Sequence, residues 1–363
     1  MKAEDPRRSP ASPVRGRGAA SNPANRFEPV ALEHEEPPPG AIPTRYLKDG
    51  SKSVLTRNQS PDVPFDISLN PYRGCEHGCI YCYARPTHEF FGLSAGLDFE
   101  SIIFAKEDAP ALLRQELRSR AFKPQVVGIS GVTDPYQPIE QKLQLTRRCL
   151  EVLVEARCPV GLITKNALVL RDLDLLRELA NFGAVSVAIS ITTLDPELAR
   201  KLEPRASHPQ RRLEAIARLR EAGIPAGIMT APIVPAITDH EVPALLEAAA
   251  AAGALFAGYT ILRLPGAVET LFKEWLESHY PDRAGKVLSR LREMRGGELH
   301  DPRFGKRMKG EGLFAEQIGA LFHLHTRRLG LDNGREKVKL SSAAFRPPAD
   351  LRPGAQLNLF GET

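Results

Sequence analysis

The chain has 363 residues, 42% of them hydrophobic and 26% charged, with a formal net charge of +5. That length suits one large α/β barrel-type domain or two smaller ones, and the composition excludes fibrous and low-complexity classes. No apolar run approaches the roughly 18 residues of a membrane span, and Met1-Lys-Ala-Glu-Asp-Pro-Arg-Arg8 lacks the apolar stretch of a signal peptide. A cytoplasmic protein with no membrane partner is expected.

Residues 1–45 are rich in Pro, Arg, Gly and Ala without a hydrophobic period, which predicts a disordered tail. Six short apolar runs follow: Asp66–Asn70, Gln125–Ser130, Val160–Thr164, Val185–Ser190, Ala226–Thr230 and Gly258–Leu262. Helical patterns separate them at Glu107–Arg120, Leu145–Ala156, Leu173–Asn181, Pro196–Leu202, Pro209–Ala222 and Glu241–Ala252. Asp195-Pro196-Glu197 is a helix start, with Asp as N-cap and Pro at the first helical position. Apolar strands alternating with helices predict a parallel sheet with right-handed crossovers. Six such units across residues 60–265 predict an α/β fold, a partial (β/α)6 TIM-like barrel, with a doubly wound open sheet as the alternative. In either case functional residues belong at the C-terminal strand ends.

Phe99–Ala105 reads as an extra strand at the barrel edge. Residues 266–340 turn helical, with Trp275, Leu276, Val287, Leu288, Leu291, Met294, Phe314, Ile318 and Leu321 as packing positions. From Arg283 to Lys309 nine Lys/Arg stand against three Asp/Glu. Such a block suits DNA or another nucleic acid, or is simply a solvated helix face. Residues 341–363 read as a flexible tail, broken at Arg346-Pro-Pro and Arg352-Pro-Gly.

The chemistry is signalled by Cys75, Cys79 and Cys82, spaced CxxxCxxC, with Tyr81 just before the last. Three thiolates hold three irons of a [4Fe–4S] cube, whereas a closed cluster takes four protein ligands. The remaining Cys149 and Cys158 sit on or beside the second helix and are expected in the core. The fourth iron is then an open coordination site. Zinc is the alternative, with His77 as fourth ligand, but ring closure is awkward for a residue inside the loop. An odd cysteine count argues against a disulfide framework.

A cysteine loop that follows the first strand and reads CxxxCx-aromatic-C resembles the defining motif of the radical S-adenosylmethionine superfamily. The resemblance spans about residues 60–265. It implies an enzyme with two cofactors, a [4Fe–4S] cluster and S-adenosyl-L-methionine, whose amino and carboxylate groups chelate the open iron. Reductive cleavage then gives a 5′-deoxyadenosyl radical that abstracts hydrogen from a substrate. A flavodoxin- or ferredoxin-type reductant is implied as partner. Among cofactor-binding candidates, Tyr81 flanks the cluster. Thr133 and Asp134, where the superfamily usually carries Gly-Gly-Glu, suit the ligand's amino group or are ordinary turn residues. Lys165 suits its carboxylate or caps a helix. Ser190 and Thr192 suit the ribose hydroxyls or local backbone. Arg205 offers a planar clamp for the carboxylate. Pro232, within Met229–Pro235, suits adenine stacking, and Arg263 ends the sixth strand unit.

Within the superfamily, Asn70-Pro-Tyr-Arg-Gly-Cys75 and Thr133-Asp-Pro-Tyr-Gln-Pro138 look like the subgroup akin to spore photoproduct lyase, which reverses a thymine dimer. That enzyme keeps a hydrogen-donating cysteine ahead of its Asp-Pro pair, where this chain has Gly131. Tyr136 and Tyr259 are the nominated replacement donors. The resemblance implies hydrogen abstraction from a nucleic acid, in the manner of DNA lesion repair. The alternatives are modification of RNA or protein, and a cluster-bearing binding protein without turnover. Gln356-Leu357-Asn-Leu359-Phe360 resembles the peptide by which bacterial repair proteins dock on the DNA polymerase sliding clamp, unless it folds back onto the barrel.

Overall fold

The computed structural model describes residues 14–27, 42–332 and 338–350. Among these residues ten strands form: β1 (Arg45–Lys48), β2 (Leu55–Arg57), β3 (Ile67–Leu69), β4 (Tyr72–Arg73), β5 (Ile102–Ala105), β6 (Val127–Ile129), β7 (Val160–Thr164), β8 (Val185–Ser190), β9 (Ala226–Ile233) and β10 (Ala257–Ile261). Seven make the main sheet in the order β10-β9-β8-β7-β6-β3-β2. From β3 to β10 every neighbouring pair is parallel, and β2 caps the edge antiparallel to β3. The six parallel strands therefore lie in sequence order without reversal. That is the winding of a partial barrel; a doubly wound sheet would reverse direction at a switch point.

The crossover helices form where spacing demands. Leu145–Glu155 buries Leu145, Cys149, Leu150, Leu153 and Val154 on one face. Asp195 caps Pro196–Leu202, its carboxylate accepting from the Glu197 amide at 2.8 Å. Cys149 and Cys158 are both buried, and burial pushes the Cys158 thiol up to about 12.

Three expectations are corrected. Residues 14–27 of the expected disordered tail are a packed strap. Arg17 is buried and donates to the Glu100 and Ile42 carbonyls at 2.5 and 2.6 Å, and Asn25 donates to the Glu89 carbonyl at 2.9 Å. Polar contacts hold this segment, so no hydrophobic period betrays it. The expected edge strand at Phe99–Ala105 is half helix (Leu97–Ser101) and half strand, and its β5 pairs with β1 and β4 in a separate three-stranded sheet. Residues 341–350 of the expected flexible tail are pinned as well, with Arg346 Nε donating to the Glu155 carbonyl at 2.9 Å and Phe345 against Phe122. The clamp-like peptide, Gln356 to Phe360, lies outside the described residues.

The appended helices are Val268–His279, Pro281–Met294 and Leu313–Arg328. No helix among the described residues is long and apolar enough to cross a membrane.

Beneath the barrel mouth, Glu140 is fully buried. Its carboxylate accepts from the Tyr72 hydroxyl at 2.5 Å, the Thr146 amide at 3.0 Å and Arg171 Nη2 at 2.7 Å. Removing a partner from a buried network strands the rest, at a cost of about 3–5 kcal/mol. Glu140→Ala is expected to lose about that much in urea unfolding. A loss below about 1 kcal/mol, the scale of an exposed pair, would show the network does not hold the fold.

Candidate active site

The cysteine loop runs from Gly74, just after β4, to Tyr83. Gly78 sits at φ +65 in the left-handed region, which glycine enters without strain. The loop is held by Arg85, whose side chain is 0% exposed. Its Nε donates to the Cys79 carbonyl at 3.0 Å and its Nη2 to the Gly78 carbonyl at 3.2 Å. Its Nη1 serves the Ala95 and Gly96 carbonyls, and Nη2 also pairs with Glu100. All five N–H donors of this guanidinium are spent.

Glu100 in turn accepts from the Gly18 and Ala19 amides of the strap, each at 2.9 Å. The strap thereby crosses directly over the loop, and a Cβ at Gly18 would overlap the Gly78 carbonyl. On the other flank the loop backbone docks on the end of helix Pro196–Leu202, Ile80 N donating to Leu202 O at 3.1 Å.

Cys75 and Cys79 are buried and Cys82 nearly so, all three unpaired as disulfides. Burial raises each thiol above its ordinary pKa, and Cys75 is raised further by Asp134 and its two fellow cysteines. Among the described residues no three His, Cys, Asp or Glu side chains converge on one point as a single ion needs. Beyond burial, Cys79 and Cys82 raise the Cys75 thiol because their thiolates would repel, and three thiolates are the donor set of a [4Fe–4S] cluster that leaves one iron open. Cys75, Cys79 and Cys82 would hold it.

Beside the loop, side chains from four separate elements meet at Glu203, a fully buried carboxylate. Lys165, after β7, places Nζ 3.1 Å from Glu203 Oε1, 2.7 Å from Ser190 Oγ and 3.1 Å from the Ala231 carbonyl. The Thr192 hydroxyl lies 2.7 Å from Glu203, the Tyr81 hydroxyl donates to the same carboxylate, and Arg212 Nη2 lies 2.5 Å from it. Burial alone would raise this carboxyl, but Arg212 and Lys165 hold it well below the carboxylate range. Two cations against one carboxylate leave the node with surplus positive charge.

Tyr81, Lys165, Ser190 and Thr192 are thus brought together, with Pro232 directly following the Ala231 carbonyl they share. Thr133 and Asp134 stand on the neighbouring strand end. The Asp134 carboxylate accepts from the Thr164 hydroxyl at 2.7 Å, the Lys165 amide at 2.8 Å and the Tyr136 amide at 2.9 Å, and lies 3.4 Å from His77 Nδ1. It ties β6, β7 and the cysteine loop to one another.

Three nominated side chains go elsewhere. Arg205 turns to Glu76 Oε1 at 3.0 Å and Thr44, beneath the loop, instead of facing the Glu203 node. Tyr136 is 0% exposed and donates to Asp172 at 3.0 Å, inside the structural network around Glu140. Tyr259 packs on Phe322 of the last helix, ring centroids 4.4 Å apart. Neither tyrosine hydroxyl points to the cysteines. A cavity of about 670 Å³ opens over Asn166, Leu168, Ser207 and Arg211, and none of the cysteines lines it.

Sequence reasoning missed Glu203, Arg212, Arg85, Glu100 and Tyr83. Tyr83 follows the last cysteine, is 45% exposed, and donates its hydroxyl to the Gly131 carbonyl at 2.7 Å. A signal for Glu203 lies in the sequence, two residues before Arg205, and it is this acid that faces the node.

The profile of the radical SAM superfamily matches residues 69–249. An uncharacterized Mycobacterium tuberculosis protein is 38% identical over 250 residues, covering 67% of this chain and 71% of its own. An uncharacterized Methanocaldococcus jannaschii protein is 30% identical over 237 residues, covering 65% and 84%. The chain belongs to the radical SAM superfamily. Among solved structures, a spore photoproduct lyase shares the fold with a TM-score of 0.54 at 18% identity, over 78% of each chain. This radical SAM protein is accordingly an enzyme whose cofactors are a [4Fe–4S] cluster and S-adenosylmethionine. Bound together, these cofactors would supply one-electron radical chemistry, with Cys75, Cys79 and Cys82 as the residues that would hold the cluster.

Two variants check the site. Cys79→Ala is expected to abolish the visible absorbance of the reconstituted cluster, and retained absorbance would remove the loop as its holder. Gly18→Val is expected to assemble the cluster yet lose it several-fold faster to an iron chelator. Equal bleaching rates would mean that the strap does not wall the site.

Proposed function

We propose that this radical SAM enzyme abstracts hydrogen from a nucleobase in DNA and quenches the product radical from Tyr83 instead of a cysteine. The observation that carries the substrate class is the fold shared over 78% of both chains with spore photoproduct lyase, which has been solved in complex with dinucleoside spore photoproduct. A Pseudomonas phage M6 protein named radical SAM Nalpha-GlyT isomerase, 28% identical over 189 residues, 52% of this chain and 37% of that one, supports the radical SAM reaction class.

Within this reading the surplus charge at the Glu203 node receives the cofactor's carboxylate, with Lys165 as the donor, which gives up one of its three contacts to take it. Ser190 and Thr192 lie at the same node for the ribose, and Pro232 beside it for the adenine. A charge-assisted hydrogen bond contributes about 1.5–3 kcal/mol. Lys165→Ala is therefore expected to weaken S-adenosylmethionine binding by roughly tenfold or more in calorimetric titration. Unchanged affinity would move the carboxylate elsewhere.

Tyr83 supports the quenching role by position. It leaves the loop next to Cys82, stands half exposed, and touches Gly131, the place where the lyase subgroup keeps its donor thiol. A side chain at Gly131 is a tight fit: an added Cβ would meet Asn70 Nδ2 and Ser68 Oγ at 3.3 Å, and those two side chains would have to yield by a few tenths of an ångström. With reduced holoenzyme and thymine-modified DNA, wild type is expected to form 5′-deoxyadenosine faster than with unmodified DNA, RNA or peptide. Stimulation by RNA or peptide alone would replace DNA as substrate. Tyr83→Phe is expected to keep cofactor cleavage but lose defined product, and Tyr83→Phe/Gly131→Cys to recover it. Full product from Tyr83→Phe alone would dismiss Tyr83.

The Gln356–Phe360 peptide is proposed as a sliding-clamp anchor, and a flavodoxin- or ferredoxin-type protein as the electron source.

A further inference from the structure

The basic segment Arg283–Lys309 looks like a polyanion surface in sequence, but much of its charge is used internally. Arg295 is buried and donates to the carbonyls of Ile261, Leu262, Lys306 and Arg307. Arg290 pairs with Glu293, Arg303 with Asp301 and Glu311, Lys306 with Glu311, and Arg307 with Asp62. Arg295 pins the segment against the end of β10, and the Ile261 amide donates to Met308 O at 2.8 Å. Residues 295–309 therefore form part of the barrel's rim.

On that rim Arg263 is different. It stands two residues past β10, at the C-terminal mouth of the sheet, partly buried. Its guanidinium lies 4.3 Å from the centre of the Tyr83 ring and makes no hydrogen bond or ion pair with any described residue. Its neighbours worsen its position: Arg307 and Arg295 carry the same charge, and His300 sits among them. Asp62 acts on it from beyond ion-pair distance and is already held by Arg307 at 2.5 Å and by the Gly305 amide at 2.7 Å. A partly buried cation beside other cations, with no ion pair of its own among the described residues, is a position that an anion from outside would stabilise. Next to it, Arg307 lies over the ring of Phe304, an aromatic left 57% exposed. The rim thus runs Tyr83, Arg263, Arg307 and Phe304, two guanidinium groups flanked by two exposed rings. Cations spaced among stacking faces are what a single nucleic acid strand uses, charge for the backbone and rings for the bases.

We infer that Arg263 binds a backbone phosphate of the nucleic acid substrate and that Phe304 stacks a neighbouring base, so that the strand enters the barrel across this rim and not across the basic helix. The inference rests on the nucleic acid reading above and gives it a location. It also reassigns Arg263 from the cofactor to the substrate, since the Glu203 node already offers the cofactor a positive site.

The test uses reconstituted holoenzyme and a fluorescein-labelled single-stranded oligothymidylate, with anisotropy measured from low to moderate potassium chloride and S-adenosylmethionine affinity measured separately. Each phosphate contact contributes about 0.7 to the slope of log K against log salt for a single strand. Arg263→Gln is expected to weaken oligonucleotide binding about tenfold, to flatten that slope by about 0.7, and to leave cofactor affinity unchanged. Arg263→Lys is expected to keep the slope. Phe304→Ala is expected to weaken binding about five- to tenfold with the slope intact, because stacking releases no counterions. As control, Arg200→Gln removes an exposed arginine already paired with Glu197 and should change nothing. An unaltered slope in Arg263→Gln, or a loss of cofactor affinity matching the loss of oligonucleotide affinity, overturns the assignment. If wild type binds no oligonucleotide at all, both this inference and the nucleic acid reading fall. If wild type binds and both rim variants match it, only the rim is wrong.

Discussion

The arrangement of the three cysteines depends on one buried guanidinium. Arg85 carries its charge at zero exposure, which is costly unless a counter-ion and every donor are satisfied. Glu100 supplies the counter-ion, and four carbonyls absorb the remaining donors. Two of those carbonyls, Gly78 and Cys79, belong to the cysteine loop itself. A loop of this length has no strand or helix ladder of its own, so its backbone groups must find partners outside it. The ion pair therefore selects one loop conformation, and the strap that caps Glu100 closes the same network from the outside.

A second buried charge organises the other half of the mouth. Glu203 draws Tyr81, Lys165, Thr192 and Arg212 from four separate elements into one cluster. Tyr81 belongs to the cysteine loop, so the two networks are mechanically joined. A displacement at Glu203 would be transmitted to the last thiol, one residue from Tyr81. The aromatic position inside the CxxxCxxC motif is thus explained here by a hydroxyl that reaches a carboxylate, in addition to its apolar face.

Much of the fold was legible because it obeys periodicity. β7 and β8 and helices Leu173–Asn181 and Pro196–Leu202 have the boundaries that apolar alternation and capping predict. The cysteine motif was legible because its spacing is itself chemistry. What was not legible depends on direction. Tyr259, a candidate hydrogen donor by residue type, lies within β10, where successive residues face opposite sides. Tyr259 and Ile261 share the buried face, where Tyr259 meets Phe322, while the alternate positions are less covered. Arg205 and Glu203 flank Pro204, and the chain turns there so that one faces the mouth and the other faces Glu76. The strap was invisible because scattered hydrogen bonds to distant carbonyls and carboxylates leave no repeating pattern.

Charge shows the same limit most clearly. A sequence count treats nine basic residues between Arg283 and Lys309 as equivalent, yet at least five of them are paired or bonded to carbonyls within the fold. What attracts a ligand is an uncompensated charge, and compensation is a property of neighbours remote in sequence. Asp62 neutralises Arg307 across 245 residues. Arg263 lies outside the dense block and would never be ranked first by counting, but the fold leaves it without an ion pair among the described residues while withdrawing it partly from water. Surface lysines and arginines surrounded by water cost little when unpaired; a guanidinium wedged against an aromatic ring among other cations costs much more. Retaining such a residue at the mouth of the barrel is reasonable only where something anionic regularly occupies the space beside it, within reach of the cysteine loop through Tyr83.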